Sequence, residues 1–255
     1  MSDPRYPNFA GKHAEDPFFS GAEYIEYAKR VGRIPVDLVA PDGVIVCYQR
    51  SIYEHVLALH GLDRKDHRLL HGMAPIDGGL AIVGGFGIGA PVAATVLEEM
   101  AAIGVGRFVS MGTAGSLQKM CGIGDVIVCD RAIRDEGVSH HYVEPGMYSH
   151  ADPALTDALH DRLGGTRGTS WTIDTPFRET VAEARHYQAE GVLCVEMEAA
   201  ALFAVAERLG VAIGSAFTIS DSLADLVWDP QFHSTETEQG LVRIFEAAVE
   251  VLSSV

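Results

Sequence analysis

The chain has 255 residues, 47% of them apolar and 21% charged, with a formal net charge of −16. This is an ordinary globular composition, long enough to bury a sizeable core. The acidic excess excludes a nucleic-acid binder, which needs clustered Lys and Arg, and leaves any anionic ligand to local dipoles or an isolated Arg.

Residues 1–22 are polar, aromatic and broken by Pro and Gly, and read as an N-terminal arm; residues 23–255 read as one domain. The arm has neither the basic start nor the apolar stretch of a signal peptide. "GVIVCYQ" (43–49) predicts a buried strand, and "SIYEHVLALHG" (51–61) a helix stopped at Gly61. After a loop rich in His and charge come a strand at 79–85 and a helix at 91–104 with Pro91 in its first turn. A strand at 107–115 follows, then a strand running into a loop over 124–143 and a helix at 153–163. The remainder reads as a strand near "SWTID", a helix at 178–190, the strand "VLCVE", a helix at 197–209, the strand "AIGSAFTIS" and a helix near 235–253. Alternating strands and helices predict βαβ units and a mostly parallel sheet.

Cys47, Cys121, Cys129 and Cys194 form no CxxC pair, and three lie in strand-like surroundings. They read as buried thiols in a reducing compartment. No run approaches the roughly 18 apolar residues of a membrane span, so the expected setting is cytoplasmic, with no membrane contact. The adjacent His140 and His141 point apart on an extended chain and lack a third partner at ligand spacing, so no metal site is expected.

Three strand ends carry the chemistry. In "VGGFGIGAP" (83–91), Gly85 to Ala90 fits the GxGxxA dinucleotide pattern, which raises an NAD-dependent oxidoreductase. That pattern needs an acid at the end of the next strand, which here ends "VSMGTAG". The turn reads instead as backbone that lets a small ligand approach closely. "GTAGSL" (112–117) and "TISDSLAD" (218–225) are two more small-residue strand ends, the second holding Asp221. Together they describe a site at the carboxyl edge of a sheet. "CVEMEAAALFAVAERLG" (194–210) adds Glu196, Met197 and Glu198 at the mouth of an alanine-rich helix, where carboxylates either cap the helix or hold a ligand.

"GGFGIGAP", "GTAGSLQ" with "GDVIV", "VEMEAAALFAVA" and "TISDSLAD" resemble, in order and spacing, the nucleoside phosphorylase family. That family holds purine nucleoside phosphorylases, uridine phosphorylases and methylthioadenosine nucleosidases. The resemblance runs from about residue 43 to the C-terminus. It implies a single α/β/α domain around a mixed, partly barrel-like sheet, and a dimer-based homo-oligomer, up to a hexamer. It implies a nucleoside and phosphate as small-molecule partners, with phosphate as co-substrate and no cofactor.

On this resemblance Glu198 accepts the ribose hydroxyls and Met197 packs on the sugar, while Phe177 and Glu196 face the base. Asp221 is the acid beside N7 of a purine, and Thr113, Gly87 and Arg50 are phosphate ligands. An ionised carboxylate accepts two hydroxyls at once and stabilises the positive charge that grows on the sugar. A protonated Asp turns a purine anion into a neutral leaving group, which requires a pKa raised by burial. Asp221 also reads as an N-cap and Phe177 as an ordinary core residue. The family's "GDPxR" turn is replaced by "CYQRSIY", and the Arg two residues before its "GT" turn is Ser110. Phosphorolysis is therefore weighed against hydrolysis, with Glu54 as a candidate base for water, and against a catalytically silent nucleoside binder. No Arg supporting Asp221 is evident. His13 is a candidate for reaching a neighbouring subunit's site.

Overall fold

The computed structural model describes residue 9 and residues 11–67 and 70–254. Strands β1 (Gly43–Cys47), β2 (Ala74–Pro75), β3 (Leu80–Gly84), β4 (Arg107–Ser116) and β5 (Val126–Asp135) are followed by β6 (Tyr148–His150), β7 (Thr166–Ile173), β8 (Cys194–Glu196), β9 (Ala212–Ser222) and β10 (Asp229–Pro230). The helices are α1 (Gly21–Arg30), α2 (Arg50–Leu59), α3 (Ala90–Ala102), α4 (Ser139–Tyr142), α5 (Pro153–Leu163), α6 (Val181–Ala189), α7 (Ala199–Leu209) and α8 (Thr235–Ser253).

Local chemistry sets several boundaries. Asp152 caps α5 through the Leu155 N–H at 2.9 Å, and Gly164 ends it in the left-handed region at φ 60°. Thr180 and Glu183 form a reciprocal capping box that starts α6. Ser20 and Glu23 do the same for α1, which the sequence reading missed; it buries Ile25 and Ala28. The boundary drawn at residue 22/23 therefore falls inside a helix, and the end of the supposed arm belongs to the packed domain. Residues 1–8 and 10 of that arm lie outside the described residues.

The sheet is mixed rather than mostly parallel. β3, β1, β4 and β9 run parallel, as do β5, β7 and β8. The two groups meet antiparallel at β5–β9 and β4–β8, so β4, β9, β5, β7 and β8 close a five-strand ring. One core cluster packs Phe108, Phe203 and Phe217 with residues of α3 and α7; another packs Val109, Met111 and Ala216 with α2, α5 and α8. Helix α8 lies close on β9 because residue 240 is Gly. A Cβ there would meet Thr218 Oγ1 at 2.0 Å and Thr218 Cβ at 2.7 Å. The four cysteines are unpaired and buried, and burial pushes the Cys47 thiol up to about 12. Among the described residues no helix is long and apolar enough to cross a membrane.

Candidate active site

The two acids at the mouth of α7 do different things. Glu196, at the end of β8, is 4% exposed and accepts four donors. The N–H groups of Glu198 and Ala199 reach its Oε2 at 2.8 and 2.7 Å, and the hydroxyls of Ser170 and Thr172 reach its Oε1. It satisfies the first N–H groups of the helix. Its lone pairs are committed, so Glu196 is a structural cap here rather than a group open to a base. Glu198 turns the other way and is 6% exposed. Its Oε1 accepts the Gly89 N–H at 2.5 Å, at the mouth of α3. Burial, and after it the neighbouring Glu196, push its carboxyl up to about 8. Met197 between them stays half-buried.

The glycine turn supplies that N–H because Gly85, Gly87 and Gly89 all adopt positive φ, at 75°, 108° and 102°. Open space faces Gly87. Across the turn, at the end of β1, lie two residues that sequence reasoning passed over. The buried Tyr48 bonds Ser110 Oγ at 3.1 Å, and burial, with Glu198 after it, raises its phenol. Gln49 Nε2 donates to Thr113 Oγ1 at 3.0 Å, while Gln49 Oε1 is buried with no partner. They occupy the place of the missing "GDPxR" turn, which was the available signal.

Strand β4 links this half of the site to the other. Tyr48 Cδ2 lies 3.1 Å from where a Gly112 Cβ would stand, so the residues after β1 pack against β4 at Gly112. Three residues on, about 10 Å along the strand, a Cβ at Gly115 would meet Leu223 Cδ1, Asp221 Oδ2 and Val195 Cγ1 at 2.8, 3.1 and 3.2 Å. Between Ala114 and Gly115 the register with β9 shifts, so that Ser220 is an extra residue and Asp221 stands opposite Gly115. Such bulges re-aim a side chain. Asp221 is 8% exposed, lies within β9 and caps no helix. It accepts Ser220 Oγ at 2.9 Å on Oδ1 and Trp228 Nε1 at 3.0 Å on Oδ2. Burial raises its carboxyl above the usual range, against those two bonds. Glu179, half-buried beside it, is raised to about 7 by burial and by Asp221.

Other expected residues stand elsewhere. Arg50 begins α2 with its side chain 68% exposed and bonds Glu54 at 2.7 Å. Its charge is spent on that pair. Glu54 also faces Arg64 at 3.8 Å, so the candidate base is held by two guanidinium groups. Arg64, which no motif flagged, donates to the Gly85 carbonyl at 3.2 Å and is the cation nearest the glycine turn in these contacts. An open cavity of about 860 Å³, lined by Arg33, Arg50, Arg64 and Glu99, shares Gly84 to Phe86 but contains neither Glu198 nor Asp221. Phe177 sits in a short turn after β7, 98% exposed, so the reading as an ordinary core residue does not fit its position. His13 rests on its own chain, donating to the His140 carbonyl at 3.1 Å and lying 3.5 Å from Glu144. His140 Nε2 in turn donates to the Arg134 carbonyl at 3.1 Å.

The chain is similar to known proteins in sequence and in fold. The chain is 33% identical over 147 residues to guanosine phosphorylase of Halorubrum lacusprofundi, covering 54% of this chain and 59% of that one. It is 31% identical over 160 residues to uridine phosphorylase of Salmonella typhimurium, covering 55% and 63%. It is 30% identical over 148 residues to a purine nucleoside phosphorylase of Caldanaerobacter subterraneus, covering 55% and 64%. These alignments span less than two thirds of the relatives' own lengths. The fold matches the crystal structure of uridine phosphorylase from Vibrio fischeri at a TM-score of 0.67 and 22% identity, over 84% of this chain and 91% of that one. The family description "Phosphorylase superfamily" matches residues 52–252, and the chain belongs to that superfamily.

Proposed function

We propose that this chain cleaves the N-glycosidic bond of purine nucleosides by phosphorolysis, releasing the free base and ribose 1-phosphate. The observation that supports this reading is a pair of buried carboxyls raised above their ordinary range, Glu198 bonded to the glycine turn at Gly89 and Asp221 opposite Gly115 of β4. Superfamily membership and the named phosphorylase relatives give the reaction class.

A phosphate oxygen attacks C1′ of the sugar as the C1′–N9 bond breaks and its electron pair passes to the base. Asp221, protonated, donates to N7, so that the base leaves neutral. Glu198 accepts the 2′- and 3′-hydroxyls, with Met197 against the sugar. Ribose donors favour the ionised form of Glu198, which then faces the cationic sugar of the transition state. Thr113, Gln49 and the Gly87 backbone N–H form the phosphate side. A half-turn of the Gln49 amide would present its NH2 where the unpartnered Oε1 now lies. Arg64 is the proposed cation, in place of the surface-paired Arg50. The reaction needs no resident cofactor. The proposal includes a homo-oligomer in the cytoplasm, with Phe177 meeting the base only after its turn closes.

Hydrolysis is the second reading, favoured by Ser110 where the family's phosphate-binding Arg stands. Guanosine, inosine, adenosine and uridine, each with and without phosphate, separate the readings. Phosphate-dependent ribose 1-phosphate, with purines ahead of uridine, is the expected result. Free ribose in the absence of phosphate would establish a hydrolase. Tight binding without cleavage would leave a silent nucleoside binder.

A further inference from the structure

Trp228 is 60% exposed, yet its indole N–H is spent on a buried carboxylate oxygen, Asp221 Oδ2, at 3.0 Å. The hairpin that carries it is closely specified. β10 pairs Asp229 with Ser222 and Pro230 with Asp221, and the Gln231 N–H reaches the Ser220 carbonyl at 2.8 Å. Gln188 Nε2 braces the loop at the carbonyls of Leu223 and Ala224, at 3.3 and 3.2 Å. Leu226 turns the chain at φ 58°, a conformation costly for a branched residue and sustained only where the surroundings enforce it.

We propose that Trp228 is a positioning residue of the reaction: its neutral indole N–H fixes the Asp221 carboxyl while its ring covers that carboxyl from water. The inference rests on the purine-cleaving reading above. A cationic partner would favour the carboxylate strongly and strip the acid of the proton it must give. An indole orients the group with a weaker, uncharged bond. Among the described residues no cation pairs with Asp221. The neighbouring titratable groups are acids: Glu179 before α6, Asp229 on β10, and Asp225, which is paired with Lys119. The residues of β4 and β8 that face it, Gly115 and Val195, carry no charge, and the next residue of β8, Glu196, is an acid.

The two actions of Trp228 oppose each other, which makes them separable. Its N–H favours the carboxylate; its ring, on this proposal, adds to the burial of Asp221, and burial as a whole favours the protonated acid and outweighs that bond. A proton donor works below its pKa, so purine turnover falls as pH rises through that value. Trp228→Phe keeps the cover and loses the N–H, so the alkaline limb of kcat/KM should move up, by about half a pH unit. Trp228→Ala removes the cover as well, so the limb should move down, by about one unit. A residue that merely holds the fold would not shift the limb in opposite directions. Limbs that stay in place, or that move together, overturn the proposal. Should Trp228→Ala not fold, the direction in Trp228→Phe decides alone. Carbon-13 titration of the Asp221 carboxyl in the wild type and in Trp228→Phe reads the same shift without turnover. Asp221→Asn tests the underlying reading separately: full purine turnover in that variant removes Asp221 as the acid, whatever Trp228 does.

Discussion

The Glu198 carboxylate accepts the Gly89 N–H at 2.5 Å, joining the mouths of two helices 109 residues apart in sequence. The bond puts an acidic group where two sets of helix-start dipoles converge. It also means that an ionised Glu198 is buried with backbone N–H partners and no cation, in sight of a second acid.

A stability cost follows. The folded state binds the Glu198 proton more tightly than the unfolded chain does, so this contribution to stability falls as pH rises from the ordinary value of 4.5 to about 8. Glu198→Gln still accepts the Gly89 N–H and never ionises. It should melt about 3–6 °C above the wild type at pH 9 and level with it below pH 4, while losing nucleoside turnover at least about 100-fold. Thermal melts across pH decide this; equal melting at pH 9 would remove the assigned burden.

Asp221→Asn should lower purine kcat/KM by about 100-fold or more, the range of a lost general acid. Any uridine cleavage should suffer less, because a pyrimidine has no N7. The alkaline limb of the purine profile should vanish with the acid. Parallel kinetics on guanosine and uridine check it, and equal losses on both would point to a structural defect.

On the phosphate side, Gln49→Ala and Arg64→Ala should each raise the phosphate KM about tenfold, at roughly one charge-assisted or buried hydrogen bond apiece. The nucleoside KM should change little. Initial rates at varied phosphate test this, and an unchanged phosphate KM in both variants would move the anion elsewhere.

Gly240→Ala should destabilise the fold by about 2–3 kcal/mol through overpacking, since its Cβ would stand 2.0 Å from Thr218 Oγ1. The strand that α8 would be pushed from is the one carrying Asp221. Denaturant unfolding measures the loss; a midpoint equal to wild type would show that α8 can shift without cost.

Elements with a signal at each end were legible in sequence. Pro153 and Gly164 frame α5, and the long amphipathic run of α8 needs no help. Helix α1 was not read, because Ser20 and Glu23 sit in a stretch whose Pro, Gly and aromatic content looks like a loop. The antiparallel seams were hidden for another reason. β8 has three residues, and its direction against β4 is fixed by ring closure rather than by local pattern. The candidate site was legible only as motifs around β4, with Glu198 and Asp221 among their residues. The partners of those acids were not, because a hydrogen bond from Gly89 or Trp228 depends on which way a turn faces. Sequence left Glu196 between cap and ligand, and four donors on its two oxygens favour the cap.

The buried thiols make this protein its own reporter of opening. Cys47, Cys121, Cys129 and Cys194 are all enclosed, and each thiol is held above its usual range by burial. Alkylating reagents attack the thiolate, so modification must wait until the backbone parts. Pulse labelling followed by mass spectrometry would therefore time how often the ring of strands comes undone, cysteine by cysteine, with no introduced probe.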